Sequence, residues 1–350
     1  TGPFHGHGPR LGSEGRITRP HSLFPYGAPL SGRRFPVPAR CFRPACIRGR
    51  AVPGVLGPCA LHRTGRRASA FRRAAPAVFR ALRCAAAGFI RANACESPDI
   101  WASIWAADEA APGAGMELMA ALPRLANARF CAVNNIRKKV AGLYRFLGFD
   151  AGRLPHYYRL AAQSGHRVAR VAAPRILPLP ETGLALRRVP SAQALPGMFR
   201  LQPQLRPFKD YWYLSRRYFA YPFQSYDVWA SETGGHLLCT RTVPVNGTNV
   251  LRVVDYVGEP GQFWLLGRAI DGLLRGAEAE YAECYCAGVA PEVMEKAGFC
   301  ARGPKDEAVI PNYLTPPLYE NTEYYYAAQP GGAVLMCKAD GDQDRPNLPA

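Results

Sequence analysis

The stretch from Asp99 to Phe149 decides the fold of this chain, and it begins with the apolar run Asp99-Ile-Trp-Ala-Ser-Ile-Trp-Ala106. The glycine turn Pro112-Gly-Ala-Gly115 follows, then a helical pattern, a second apolar run and Leu143-Tyr-Arg-Phe-Leu-Gly-Phe149. These patterns predict strand, turn, helix, strand and helix in that order. A glycine turn that opens a helix leaves backbone N–H groups without intrahelical partners, and the helix dipole adds partial positive charge there. The turn is therefore predicted to bind a phosphate.

The order and spacing of these pieces resemble the cofactor-binding half of the GNAT superfamily of N-acetyltransferases. Gly113 and Gly115 match the small positions of its Arg/Gln-x-x-Gly-x-Gly/Ala loop, residues 130–133 match its next strand, and Leu143-Tyr-x-x-Leu-Gly-Phe149 matches its helix signature. The resemblance implies acetyl-CoA or another acyl-CoA as cofactor. The residues that it implies for cofactor binding are Ala111, Pro112, Gly113, Ala114, Gly115, Met116 and Asn135.

Two positions depart from the pattern of the superfamily. Ala110 stands where the loop has its first Arg or Gln, and Arg137 stands where an Asn is usual, with Asn134 and Asn135 displaced upstream. A lone Gly-x-Gly is common at ordinary strand-to-helix turns. The helix signature at the matching distance makes the acetyltransferase the favoured interpretation.

The resemblance also implies a reaction, the transfer of an acyl group from CoA to an amine. Tyr144 would be the proton donor to the departing thiolate, whose thiol has a pKa of about 8.5. Asp108 and Glu109, at the end of the strand before the loop, are the candidate general bases, and backbone N–H groups near residues 104–106 would meet the thioester oxyanion. The alternatives are a core role for Tyr144 and helix stabilisation by the two acids.

Charge is distributed unevenly along the 350 residues, whose net charge is +18. Residues 1–95 contain 17 Arg, no Lys and one acid, Glu14. Arg without Lys, together with abundant Pro, Ala and Gly, is what an out-of-frame reading of GC-rich DNA yields, so we expect this segment to be irregular or not a native reading frame. A transit peptide and an RNA-binding arm are the alternatives for it. The remainder is nearly neutral, which argues against nucleic acid as a partner of the folded part.

A second module of the same plan is predicted at 206–337, after a linker at 166–205. The dipeptide Asn246-Gly247 between two apolar runs predicts a β-hairpin. A helix within 262–280, a strand at 281–286 and a short helix before Gly298-Phe299 follow. The cofactor loop does not repeat, because Glu259 lies in the corresponding loop and its negative charge would repel a pyrophosphate. Residues 96–165 are then the carboxyl-terminal half of the first module.

The predicted fold class is α/β, with two GNAT-like modules of mixed, mostly antiparallel sheets flanked by helices. We expect residues 338–350, with Asp at 340, 342 and 344, to be a solvated acidic tail, and the cysteines to be buried thiols with no metal site. The expected partner is a small-molecule amine or amino sugar, with no membrane contact and a cytoplasmic location. A non-catalytic CoA-binding protein is the alternative function.

Overall fold

The structure is a computed structural model, and it describes residues 85–108, 110–303 and 307–344. The strands in these ranges are β1 (Ala85–Arg91), β2 (Asp99–Ala107), β3 (Phe130–Ile136), β4 (Asp150–Leu154), β5 (His156–Leu160), β6 (Leu186–Arg188), β7 (Leu205–Arg206), β8 (Asp227–Ser231), β9 (Leu237–Val245), β10 (Thr248–Val257), β11 (Ala279–Ala287), β12 (Cys300–Arg302), β13 (Tyr324–Ala328), β14 (Ala333–Val334) and β15 (Met336–Cys337). The α-helices are α1 (Ala114–Leu125), α2 (Ala141–Phe146), α3 (Leu195–Met198), α4 (Tyr211–Tyr218), α5 (Gly267–Gly276) and α6 (Pro291–Lys296). Short 3₁₀ helices span Lys138–Val140, Ala192–Ala194, Pro260–Leu266 and Asp340–Asp342.

The strands form two large sheets, the first ordered β1-β2-β3-β13-β4 and the second β12-β5-β11-β10-β9-β8-β6. The pair β2–β3 is parallel in the first sheet and the pair β10–β11 is parallel in the second, whereas their other neighbouring strands are antiparallel. Helices α1 and α2 pack on the first sheet, and α5 and α6 pack on the second. The predicted fold class, α/β with two mixed sheets flanked by helices, is confirmed.

The two sheets repeat one chain order and exchange one strand each. The first follows β1-β2-α1-β3-α2-β4 and the second β9-β10-α5-β11-α6-β12. In the first sheet β13 is inserted between β3 and β4, and in the second sheet β5 is inserted between β11 and β12. Pro155 alone separates β4 from β5, and its carbonyl accepts the N–H of Cys286 at 3.0 Å. Each sheet is therefore completed by chain from the other half.

This exchange corrects three predicted boundaries. The segment 96–165 contributes β5 to the second sheet, and 206–337 contributes β13 to the first. Residues 85–91, predicted to be irregular, form β1, because pairing with β2 satisfies the backbone groups of a short apolar run. The remaining part of the Arg-rich segment, residues 1–84, lies outside the described residues.

Local predictions in the second half agree with the structure. Val245 pairs with Thr248 across the turn, and Asn246 and Gly247 have φ of 49° and 73°, as a type I′ hairpin requires. The helical region predicted at 262–280 is the 3₁₀ helix Pro260–Leu266 followed by α5. The strand predicted at 281–286 is β11, which is buried along its whole length.

Residues 338–341 and Asp344 of the predicted acidic tail are buried, which corrects the prediction for this part of it. Asp340 and Asp344 are 0% and 1% exposed, respectively. Asp340 lies 2.7 Å from the ammonium of Lys209, and Asp344 lies 3.0 Å from the guanidinium of Arg241. Composition indicated a polar loop, but paired carboxylates can be buried. Both carboxylates therefore belong to the buried core.

Candidate functional site

A gap between β2 and β3 is the first feature of the candidate site. The two strands pair only as far as Trp101 and Ala132, although both continue for several residues. In the pairing of β2 with β1, Phe89 faces Ala102 and Gly88 faces Ile104, so Ser103 is an extra residue in a β-bulge. The bulge bends β2 away from β3 and opens the sheet at its carboxyl edge.

The bulge also changes which face of the sheet the later β2 side chains occupy. Before it, Trp101 packs against Tyr213 of α4, on the side of the second sheet, with ring centroids 5.1 Å apart. Regular alternation would place Trp105 on that same face. Instead Trp105 and Ala107 contact α1, where a Cβ on Gly115 would approach Trp105 Nε1 to 2.7 Å and Ala107 Cβ to 3.1 Å. A Cβ at position 115 would thus force Trp105 or the loop to shift.

The loop from β2 to α1 presents unpaired backbone donors. The carboxylate of Asp108 accepts the N–H of Ala110 at 2.9 Å, and Gly113 adopts a left-handed φ of 90° directly before the helix. The N–H groups of Gly113, Gly115 and Met116 donate no hydrogen bond to any other described residue. Three free donors at a helix amino terminus favour an anion.

The predicted acids have different outcomes. Asp108 is exposed, and its hydrogen bond to Ala110 shapes the loop, which is the structural alternative considered for it. Its role as a base stays a prediction. Glu109 lies outside the described residues. Ala111, Pro112 and Ala114 form the turn itself, and Ala114 donates to the carbonyl of Ala111 at 3.1 Å.

Tyr144 lies beside the gap on α2 and is 4% exposed. Its ring packs edge-on against Trp105, with centroids 6.3 Å apart, and against Phe149 at 5.8 Å. Burial, with a smaller contribution from Cys131, raises the pKa of Tyr144 to about 12. Its hydroxyl makes no hydrogen bond within the described residues. A phenol with this pKa is a hydrogen-bond donor at neutral pH, because a thiolate whose thiol has a pKa of about 8.5 is too weak a base to remove its proton outright.

Asn135 is placed differently from its predicted role. It has a positive φ of 57°, and its side-chain amide donates to Gln343 at 3.1 Å. Its neighbour Asn134 donates to the carbonyls of Cys337 and Asp340, at 3.0 and 2.9 Å. Both asparagines therefore hold the carboxyl-terminal segment against β3.

The second sheet has a matching gap between β10 and β11, and the chain itself fills it. Parallel pairing ends at Val253 and Cys284, and Val254 is the extra residue of a bulge. Strand β15 pairs with the end of β11, and the next two residues bridge the gap. Lys338 donates its N–H to the carbonyl of Tyr285 at 3.1 Å, and Ala339 donates to that of Val254 at 2.9 Å. We call residues 335–344 the closing segment.

Buried charges fix the closing segment. Lys209 contacts both Asp255 and Asp340, at 2.6 and 2.7 Å. Burial raises the pKa of Asp340 to about 6 although Lys209 opposes this, whereas Arg241 and Arg252 overcome the effect of burial on Asp344 and hold its pKa below the usual range. Removing one partner of such a group leaves a buried charge unpaired, which is strongly destabilising.

A second buried cluster joins the exchanged strand β5 to the second sheet. His156 Nδ1 accepts a hydrogen bond from Arg302 Nε at 2.7 Å, and His156 Nε2 lies 3.2 Å from a Glu283 oxygen. Burial lowers the pKa of His156 to about 4, since the Glu283 carboxylate only partly offsets it. The imidazole is therefore neutral at pH 7, and we assign it a structural role.

Sequence reasoning missed Trp105, the closing segment and the strand exchange. A bulge leaves no periodic signal when it lies within a short apolar run, so the face of Trp105 was not readable. The alternating Asp residues of the tail were a signal, but they were interpreted as marks of solvation.

Cys284, Cys286, Cys300 and Cys337, among the described cysteines, are buried free thiols.

Comparisons with known proteins give likeness of fold. No family model and no curated protein matches the chain. Solved structures that match it include a conserved protein of Enterococcus faecalis V583 described as a probable N-acyltransferase, with 12% identity over 70% of this chain and 58% of that one, at a TM-score of 0.39. A GCN5-related N-acetyltransferase of Anabaena variabilis matches at 9% identity over 66% of this chain and 55% of that one, with a TM-score of 0.39.

A tandem GNAT protein from the clavulanic acid biosynthesis pathway also matches, at 12% identity over 71% of this chain and 80% of that one, with a TM-score of 0.26. The second and third of these structures are described as GCN5-related or GNAT proteins, the superfamily that the sequence motifs resemble. The chain spans little more than half the length of the first two. The likeness extends to fold alone.

No helix among the described residues is long and apolar enough to cross a bilayer.

Proposed function

We propose that this chain is an acyl-CoA-dependent N-acyltransferase with its donor site in the gap between β2 and β3. The observation that carries the proposal is the combination of that gap with the free N–H groups of Gly113, Gly115 and Met116 at its mouth. A pyrophosphate at those donors would leave the rest of an extended thioester free to enter the gap.

The chain itself supplies support for this mode of binding. In the second sheet an extended segment occupies the corresponding gap and donates hydrogen bonds to both flanking strands, at Val254 and Tyr285. Strand-like occupants therefore fit a gap of this type. Pantetheine carries two amides along an extended chain and offers the same kind of hydrogen bonds.

The residues around the first gap suit acyl transfer. Bound acyl-CoA would supply an activated thioester carbonyl. Tyr144, protonated at neutral pH, would donate a hydrogen bond to the sulfur as negative charge develops there, and backbone N–H groups of residues 104–106 would stabilise the oxyanion. The acceptor we propose is an amine, such as an amino sugar or a peptide amine of surface-polysaccharide metabolism.

The proposed base is a carboxylate at the end of β2. Asp108 is exposed and accepts the N–H of Ala110, so its carboxylate is within reach of solvent. An acceptor amine enters as an ammonium and must lose a proton before attack.

The unpaired state of the described cysteines supports a reducing, cytoplasmic location.

Calorimetry of the full chain with acetyl-CoA tests donor binding, and release of free CoA thiol in the presence of an amine panel tests transfer. We expect Tyr144→Phe to bind acetyl-CoA like the unsubstituted chain but to turn over about tenfold to a hundredfold more slowly. Unchanged turnover in this variant would remove the role of Tyr144, and absence of CoA binding to the unsubstituted chain would overturn the whole proposal.

A non-catalytic CoA-binding protein is the second candidate function. The observation that favours it is Ala110, which gives the loop no cationic side chain where GNAT loops have Arg or Gln. Acetyl-CoA binding without thiol release for any amine of the panel is the result expected of this alternative.

A further inference from the structure

Three consecutive basic residues follow β3 at the same edge of the first sheet as the donor loop. Arg137, Lys138 and Lys139 are all exposed, and the two lysines begin the 3₁₀ helix Lys138–Val140. None of the three side chains forms a hydrogen bond or ion pair with another described residue. The whole chain has six lysines, and these two are adjacent.

The topology places these cations beside the mouth of the gap. Strands β2 and β3 are parallel neighbours, so the loop after β2 and the turn after β3 leave the sheet at one edge. The gap opens between them. A ligand that extends out of the gap past the free N–H groups of the loop therefore emerges next to residues 137–139.

Other basic side chains of this region are committed elsewhere or lie far from the edge. Arg129 is 3.0 Å from the carboxylate of Asp99, and Arg145 donates to the carbonyl of Ala151 at 2.7 Å. Arg124 is in the last turn of α1, at the opposite end of the helix from the donor loop. The loop itself contributes backbone dipoles and the negative Asp108. Arg153, near the carboxyl end of β4, is paired with Glu323, so residues 137–139 are the exposed positive charge without an ion pair at this edge of the described sheet.

We propose that Arg137, Lys138 and Lys139 bind the 3′-phosphate of the donor's ribose, so that the site selects CoA over phosphopantetheine donors that lack this group. The inference rests on the proposed function. A phosphate monoester is doubly or nearly doubly charged at neutral pH, and Lys and Arg bind it through charge-assisted hydrogen bonds. The α1 amino terminus serves the pyrophosphate, which is a separate anion, so the two sites divide the charge of one ligand.

Calorimetry of the full chain with CoA and with 3′-dephospho-CoA tests the inference. We expect the unsubstituted chain to bind CoA about tenfold more tightly than the dephospho form. In the double variant Lys138→Gln/Lys139→Gln, CoA affinity should fall to within about threefold of the dephospho value. The affinity for 3′-dephospho-CoA should stay nearly unchanged, which also reports that the variant is folded.

Arg124→Gln is the matched control, since Arg124 is exposed, unpaired among the described residues and in the same module. It removes one positive charge at the far end of α1, and we expect both affinities to stay as they are. An equal loss in this control would assign the effect to overall charge and overturn the inference. Equal binding of CoA and 3′-dephospho-CoA by the unsubstituted chain would overturn it too, while leaving the proposed function intact. Failure to bind either compound would overturn both.

Discussion

The two sheets of this molecule have the same plan and differ in what occupies the gap of each. Both have a bulge, at Ser103 in β2 and at Val254 in β10, that separates a pair of parallel strands. In the first sheet the gap faces a loop with free N–H donors. In the second sheet the closing segment fills the gap and hydrogen-bonds to both strands.

The difference shows that the chain itself can fill one of two similar gaps. A splayed pair of strands has unpaired backbone groups that need partners. A bound ligand can supply them, or the chain can. In the second sheet residues 335–339 supply these hydrogen-bond partners. The fold can therefore accommodate Glu259 and the 3₁₀ helix that follows it at the position of the phosphate-binding turn.

The largest expected effect comes from removing the charge that anchors the closing segment. Asp344→Ala leaves Arg241 without its buried partner, whereas Arg252 keeps Glu283 at 2.6 Å, and we expect the free energy of unfolding to fall by about 3–5 kcal/mol in urea denaturation. Asp227→Ala, which breaks the exposed pair with Arg188, is the control and should cost no more than about 1 kcal/mol. Equal effects would mean that the second gap is not held closed by this contact.

A pH dependence is expected from His156, which ties the exchanged strand β5 to the second sheet. Its pKa of about 4 in the folded chain is below the unfolded value of about 6.5, so the unfolded state binds more protons between these pH values. The contribution of His156 to the free energy of unfolding is therefore complete above pH 6.5, and about 3 kcal/mol of it is lost as the pH falls to 4.

Asp340 changes the stability in the opposite direction. Its pKa of about 6 in the folded chain is above the unfolded value of about 3.9, so its protonation favours the folded state as the pH falls. The His156→Gln variant separates the two effects. Urea titrations between pH 7 and 4 should show a shallower loss, or a gain, in the variant. Parallel curves for both proteins would contradict the role of His156.

The close approach in the first gap is tested with glycine. Gly115→Ala places a Cβ 2.7 Å from Trp105 Nε1, and we expect acetyl-CoA affinity to fall about tenfold as Trp105 and the loop shift, with about 1–2 kcal/mol of stability lost. Gly142→Ala is the matched control on α2, because no atom lies within 4 Å of its added Cβ. Calorimetry and thermal melting measure both. Similar losses in the two variants would refute a specific requirement at 115.

The smallest expected effect sharpens the role of the loop. Ala110→Arg adds the cation that GNAT loops often carry, and an exposed charge near a pyrophosphate should raise acetyl-CoA affinity about threefold, or roughly 0.3–1 kcal/mol. Ala110→Met adds similar bulk without charge and should leave affinity unchanged. The gain should disappear at high salt. A gain for Met as large as for Arg would show that packing is responsible.

Local features of the fold could be predicted because they depend on neighbours in sequence. The turn before α1, the left-handed Gly148 after α2 and the Asn246-Gly247 hairpin each follow from backbone preferences within a few residues. The donor loop of the site falls in this class. The face of Trp105 does not, since a bulge at Ser103 reverses the alternation on which such a prediction depends.

Sequence alone thus determined the strand–turn–helix that presents the donor loop, and the hairpin, helix and strand of the second half. Tertiary structure decided which strands complete each sheet, and that an acidic tail lies buried in the second gap. The physical reason is that a helix or turn is specified by local φ, ψ and hydrogen bonds, whereas a strand's partner and a carboxylate's counter-charge come from distant parts of the chain. Arg345 follows Asp344 in the sequence, but the carboxylate of Asp344 pairs with Arg241 and Arg252, which are about a hundred residues away and reach it through the fold.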